Sequence, residues 1–281
     1  MVGKLQYLGG LEIGSSEARF GGLSALWVSP DGGRLVALSD HGHWFRARLV
    51  YDEDGRLAGV VDGEIGALVD PHGRPLDRQH GDAESLARMP DGAFIAAFER
   101  VHRLWRYPAS AEPFQAQPAP LPRPPGLAKA PENGGIEALT PLLDGRLLAV
   151  TEDLEADAGV LVAWLGADAE WQALAYLHAG AFSPTGAATL PGGDVLMVER
   201  RFDPARGSAA RVRRVSQADI APGARLEGIE IARFEAPLQV DNFEGIAVRR
   251  STAGETLVYL LSDDNYNPAQ RTLLLMFALR E

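Results

Sequence analysis

The sequence predicts an all-β protein assembled from five repeated four-stranded units, on three observations. One motif recurs five times, each copy places a glycine-bearing turn between two apolar runs, and no stretch sustains the 3.6-residue period of a helix. The copies read FGGLSALWVSPDGGRLVALSDHG from residue 20, DAESLARMPDGAFIAAFERVHRLWRYP from 82, GIEALTPLLDGRLLAVTEDL from 135, SPTGAATLPGGDVLMVERRF from 183 and NFEGIAVRRSTAGETLVYLLSDDN from 242. Four-stranded units repeated radially are the blades of a β-propeller, here one unit over residues 1–281. An irregular sixth blade within residues 44–80 is the alternative; two separate domains are not expected, because no linker interrupts the period.

Each copy opens with a short apolar strand that ends at Asp31-Gly32, Asp91-Gly92, Asp144-Gly145, Gly192-Gly193-Asp194 or Ala253-Gly254, residues that supply the positive φ of a hairpin turn. The second strand follows as RLVAL, FIAAF, RLLAV, VLMV or LVYLL. Third strands are expected at HWFRARLVY, HRLWRY, GVLVAWLG, ARVRRV and TLLLMFAL, most of them alternating as half-buried strands do. Fourth strands fit RLAGVV, WQALAYL and LEGIEIARF. In the second copy that place falls to EPFQAQPAPLPRPPGL, whose prolines cannot donate to a ladder and suit an outer edge or a loop. Nothing follows the last copy, so the N-terminal KLQYLGGLEI is expected to complete it and close the ring.

Composition narrows the partners. The 281 residues carry 38 acids against 27 bases, a net charge of −11, which argues against a nucleic-acid partner, since such binding rests on clustered Lys and Arg. There is no cysteine, hence no disulfide, thiolate site or thiol nucleophile. No apolar run approaches the ~18 residues of a membrane span. MVGKLQYLGG lacks the basic head and apolar middle of a secretory signal, so a cytoplasmic location is expected unless a leader has been removed, and a periplasmic or secreted one if it has. Oligomeric state stays open.

The repeats bring chemistry into register. An acid ends the second strand of every copy, at Asp40, Glu99, Glu152, Glu199 and Asp263, with steps of 59, 53, 47 and 64 residues. The start of the first strand carries Gly21, Glu84, Glu137, Thr185 and Glu244. In a propeller these positions meet near the axis, where converging carboxylates raise one another's pKa unless a cation or a basic side chain neutralises them. Arg100, Arg200 and Arg201 follow two of the acids and supply one neutraliser. Glu84, Glu137, Glu152, Glu244, Asp263, Asp264 and Asn265 form an all-oxygen set that selects a hard cation, Ca²⁺ first and Mg²⁺ second, because loop carboxylates and carbonyls suit calcium's loose geometry. His41 and His43 in SDHGHW are expected on one face beside Asp40, His41 as a general base, and His80 is a second candidate. The remaining histidines read as structural, and no G-x-S-x-G, phosphate-loop or H-E-x-x-H motif is present.

DAESLARMPDGAFIAAFER, VLMVERRF and NFEGIAVRRSTAGETLVYLLSDDNYNPAQRTLLLMFAL together resemble the phytase-like propeller family, also described as esterase-like activity of phytase. The resemblance covers nearly the whole chain and is most specific at SDDN with Gln270 and Thr272 behind it. It implies a bacterial propeller, often exported, that hydrolyses phosphate or other esters, with Asp82, Glu84, Glu99, Arg100, Glu137, Glu199, Arg200, Asn242, Glu244, Asp263, Asp264 and Asn265 at the motif positions. Gly21 and Thr185 depart from the pattern and centre the expected site on copies two, three and five. The function expected is cation-dependent hydrolysis of a small phosphoester or related ester: His41, Glu99, Arg100, Glu199 and Arg200 in catalysis, the oxygen set on the metal. A non-catalytic calcium-binding propeller and a gluconolactonase-like lactonase are the alternatives.

Overall fold

A computed structural model describes residues 1–167, 170–178, 180–205, 207–238 and 240–281. After β1 (Leu5–Glu12) the chain lays down β2 (Leu23–Val28), β3 (Arg34–Ser39), β4 (His43–Tyr51) and β5 (Leu57–Ala67) as a first blade. The second is β6 (Ala83–Arg88), β7 (Phe94–Phe98), β8 (Arg103–Tyr107) and the three-residue β9 (Ala119–Leu121), the short edge that the proline-rich segment allows. The third holds β10 (Ile136–Pro141), β11 (Leu147–Asp157), β12 (Val160–Ala167) and β13 (Glu170–Leu177). The fourth begins with β14 (Ser183–Thr189), β15 (Val195–Asp203) and β16 (Gly207–Val215); β17 (Arg225–Leu226) crosses to pair in parallel with β13 before β18 (Ile229–Phe234) completes it. The fifth is β19 (Asn242–Arg250), β20 (Thr256–Asp263) and β21 (Leu273–Leu279), with β1 as its outer strand, antiparallel to β21. The ring is therefore five blades, and residues 44–80 contain only β4, β5 and a connection. Among the described residues no helix is long and apolar enough to cross a membrane.

Why the second strands read as unbroken apolar runs follows from their place in the middle of a blade. Alternate residues of each serve opposite neighbours: Phe94, Ala96 and Phe98 pack against the first blade while Ile95 and Ala97 pack against the third. Leu148 and Val150 face one way and Leu147 and Ala149 the other. Five apolar clusters result, one at each blade interface, including Leu5, Phe234, Phe243 and Phe277 between blades four and five. Burying each such Leu or Phe contributes about 1.5–3 kcal/mol.

One irregularity repeats in every blade. The antiparallel register between first and second strands slips at a single residue, Ser24, Glu84, Glu137, Thr185 or Glu244. A β-bulge of this kind leaves one residue unpaired and re-aims its side chain. Here all five line the axial space.

Candidate functional site

The bulge residues define a first layer on the axis, around a cavity of about 10 Å³, the size of one water molecule. In the first copy the equivalent residue is Ser24, not Gly21 as the sequence suggested. Gly21 lies outside the strand beside Asp264 and Tyr266.

A second layer comes from the strand ends. The backbone N–H of Asp40 donates to Gly22, of Glu99 to Asp82 and of Glu152 to Gly135, while Ser183 faces Arg200 and Asn242 faces Asp263. The common register thus holds Asp40, Glu99, Glu152, Arg200 and Asp263: four acids and one arginine rather than five acids. Glu199 sits one position earlier, opposite Pro184, and a one-residue offset turns a strand side chain to the other face. It is fully buried between blades three and four, accepting from Arg211 Nε, from Tyr176 Oη at 2.5 Å and from Arg213 Nη1 at 3.3 Å. Its expected place in the ring belongs to Arg200.

Arg200 bridges the layers. Its guanidinium lies 3.3 Å from Glu152 Oε1 and 3.3 Å from Glu244 Oε1, and Asn242 Nδ2 donates to the same Glu244 oxygen at 2.6 Å. Burial opposes its charge, but Glu244, Glu137 and Glu152 hold it protonated. Arg100, at positive φ, donates to Asp82 Oδ2, and Glu99 accepts from Gly135 N–H. Two glycines make room: a Cβ on Gly22 would sit 2.0 Å from Asp40 Oδ1, and one on Gly135 3.2 Å from Glu99 Oε1.

Carboxyl groups outnumber these two guanidiniums, and their acidities record it. Burial, then Asp82 and Glu244, pushes Asp40 up to about 7. Burial raises Glu99 to about 8 against the bond from Gly135, and raises Asp263 to about 9 with Glu244 adding to it. Glu84 and Glu137 are driven well above the usual carboxylate range by burial and then by Glu244 and Glu152 respectively. Glu244 is also raised by burial, with Arg200 opposing. Asp40 Oδ1 is buried without a hydrogen-bond partner. Among the described residues no group of three or more His, Asp or Glu stands at metal-ligand spacing.

The other expected site residues fall at the rim. Asp264 is spent on two backbone N–H groups and a hydroxyl: Oδ1 accepts from Gly22 N and Tyr266 N at 2.9 and 3.0 Å, and Oδ2 from Thr272 Oγ1 at 3.0 Å, tying the fifth blade to the first. Asn265 donates its backbone N–H to Asp263 Oδ1 at 2.8 Å while its amide turns to Gln270. His41 stacks on Tyr266, ring centroids 4.0 Å apart and planes 10° from parallel, with Nε2 4.0 Å from Asp40 Oδ2. Burial and then Arg78 hold its pKa below the ordinary histidine value, so it is neutral at pH 7. His43, expected on the same face, begins β4 beyond the turn and neighbours Arg19 and Glu17. His80 is in an exposed pair with Asp77 at 2.7 Å.

Sequence reasoning missed Ser24, Tyr266, Arg78 and His102, the last of which puts an unpartnered Nδ1 beside Gly135 and Glu99. A signal existed for the layers. Counting seven residues back from Asp31, Asp91 and Asp144 reaches Ser24, Glu84 and Glu137, and seven forward from Gly92, Gly145 and Gly193 reaches Glu99, Glu152 and Arg200. Tyr266 and His102 had none, because neither belongs to a repeated position.

Fold and layers together define a five-bladed β-propeller with a carboxyl-rich axial mouth. The chain belongs to the phytase-like family, described as esterase-like activity of phytase, whose sequence profile matches residues 18–266. That membership groups it with hydrolase-type propellers. No protein of curated function matches the sequence. Among solved structures it is similar in fold to the catalytic domain of an α-L-arabinofuranosidase from Coprinopsis cinerea, with 12% identity, 99% of this chain and 97% of that one covered, and a TM-score of 0.59. An α-L-arabinofuranosidase from Podospora anserina in complex with cellotriose gives 10%, 99%, 97% and 0.58. The PQQ-bound aldose sugar dehydrogenase from Streptomyces coelicolor gives 12%, 96%, 98% and 0.51. At these identities the likeness is one of fold alone.

Proposed function

We propose that the protein is a divalent-cation-assisted hydrolase of phosphate or related esters, acting at the carboxyl-rich mouth of the axis. One observation carries the reading: buried carboxyl groups from all but the fourth blade meet there with too few arginines to balance them. The donor set is wholly oxygen and suits Ca²⁺ before Mg²⁺. The space among Glu84, Glu137 and Glu244 has the size of one small occupant, and Asp40 Oδ1 lacks a partner. Glu84, Glu137 and Glu244 would hold the ion, with Asp40 and Asp263 next to them. A bound cation would polarise an ester oxygen and acidify a water.

The chain's own residues supply the rest. His41, neutral and held flat against Tyr266, accepts a proton through Nε2. Arg100 and Arg200, each partly exposed, offer positive charge to an anionic substrate while paired with Asp82 and with Glu152 and Glu244. The test is hydrolysis of p-nitrophenyl phosphate, p-nitrophenyl acetate and a lactone by chelator-treated protein with and without added Ca²⁺. Turnover restored by Ca²⁺ is the expected outcome. Equal turnover with chelator removes the cation from the reaction, and a calcium-linked rise in melting temperature without turnover on any ester makes this a binding propeller.

A further inference from the structure

The first strands run from the carboxyl mouth to the hairpin turns, so Arg88 at the end of β6 and Arg34 at the start of β3 stand at the far end of the molecule. There a second cleft of about 510 Å³ opens between blades one and two, within the usual range for a small-ligand site. Its wall is aromatic: Trp27 meets Phe94 edge-on at 5.3 Å, and Phe94 meets Phe114 at 5.2 Å.

The charges in this cleft are unevenly satisfied. Arg46 is paired with Glu64 at 2.7 Å and Glu112 at 2.6 Å, and Arg48 with Asp62 at 2.9 Å. Arg34 and Arg88 have no carboxylate at ion-pair distance among the described residues. Arg88 instead lies over Phe94 at 4.3 Å and over Trp27 at 5.4 Å. Asp31, the acid nearest Arg34 in sequence, already accepts from Ser29 Oγ and Gly33 N–H through one oxygen. Burial and then Arg34 depress the Arg88 pKa, with Asp91 opposing. Both arginines also border an apolar bowl of about 780 Å³ at the far end of the axis, lined by Leu142, Leu190 and Val248 among others. A chain with a net charge of −11 has left two neighbouring guanidiniums without a direct ion pair among the described residues, against an aromatic wall, with Asp31 and Asp91 acting on them only from a distance.

We propose that this cleft binds a small organic anion with an aromatic body, its carboxylate, sulfonate or phosphate held by Arg34 and Arg88 and its ring laid on the half-buried Trp27, which the buried Phe94 backs edge-on. An oxyanion that presents two oxygens suits a guanidinium fork, and its charge relieves the repulsion between the two arginines. The site is independent of the carboxyl mouth and of the reaction proposed there.

The probe is 1-anilinonaphthalene-8-sulfonate, followed by its fluorescence, with the neutral N-phenyl-1-naphthylamine as control. One saturable site for the sulfonate is expected. Arg34→Gln, at an exposed position, should weaken it about tenfold, the loss of one charge-assisted hydrogen bond. Arg88→Lys, which keeps the charge and loses the fork, should weaken it less. The neutral control should be unaffected by either change, and Glu244→Gln should leave sulfonate binding intact. Wild-type sulfonate affinity in both arginine variants, or neutral binding as tight as that of the sulfonate, would overturn the proposal. Melting temperatures of the variants, matched to wild type, exclude misfolding as the cause of a loss.

Discussion

Replacing Asp40 by asparagine should raise the melting temperature at pH 8, the reverse of what removing a buried charge usually does. Asp40 is largely buried, one of its oxygens has no partner, and its pKa rises from 3.8 to about 7 on folding. The folded protein therefore binds this proton more tightly than the unfolded chain. The stability this lends is full below pH 4 and is lost as pH rises through 7. Raising the pKa from 3.8 to about 7 is worth on the order of 4 kcal/mol. Because the side chain is 22% exposed and Arg78 and Arg100 oppose the shift, roughly 2 kcal/mol is a safer figure. At 2–4 °C per kcal/mol for a chain of this size, the gain is roughly 4–8 °C. Asparagine has no proton to lose, so the variant should escape the part of the decline that Asp40 causes. Calorimetry in chelator at pH 4 and pH 8 provides the comparison: wild type and variant alike at pH 4, the variant higher at pH 8. Glu99 at about 8 and Asp263 at about 9 should carry the wild-type decline on to pH 9, and excess Ca²⁺ should flatten it by binding the folded state. A variant that melts lower than wild type at pH 8 would mean that the ionised carboxylate stabilises the ring, and the repulsion argument would fail.

Three further outcomes follow from the geometry. Asp264→Ala removes the acceptor of three hydrogen bonds and should cost about 2–3 kcal/mol by thermal melting, equally with and without Ca²⁺; a loss seen only with Ca²⁺ would make Asp264 a ligand. Glu199→Gln leaves Arg211 and Arg213 facing a neutral amide in a buried site and should cost about 3 kcal/mol in denaturant unfolding, whereas a cost under 1 would show the cluster to be solvated. His41→Gln should lower kcat for p-nitrophenyl phosphate by about a hundredfold and erase the rise in rate that neutral His41 gives as pH passes its lowered pKa, below 6.5; an unchanged pH–rate profile would assign the base elsewhere.

The blades were legible because their signals are local: Asp-Gly turns, apolar second strands and prolines at one edge all act within a few residues. The axial layers were half legible. Glu84, Glu137 and Glu244 announce themselves as acids before apolar runs, but Ser24 carries no charge and only its distance from Asp31 marks it. At VLMVERRF two adjacent residues compete for one register, and strand alternation sends Arg200 to the axis and Glu199 between the blades. Asp263 and Asp264 present the same ambiguity, decided by which carboxylate meets the backbone of the first blade. His41 and His43 parted because the chain turns between them, so the two-residue rule for extended strands does not apply.

Joining the fifth blade from both halves of the chain has a kinetic consequence. Arg280 reaches Gln6 across 274 residues of sequence, so the final interface waits for the most distant pairing in the molecule. Until then Leu5 of the N-terminal strand, with Leu23 and Leu35 on one side and Leu261 and Leu274 on the other, remain wetted, and an open horseshoe of this kind is prone to associate with its own copies. Linking residue 281 to residue 1 and cutting the exposed turn between Glu53 and Asp54 would make that pairing local, which should speed refolding and shrink the losses to aggregation.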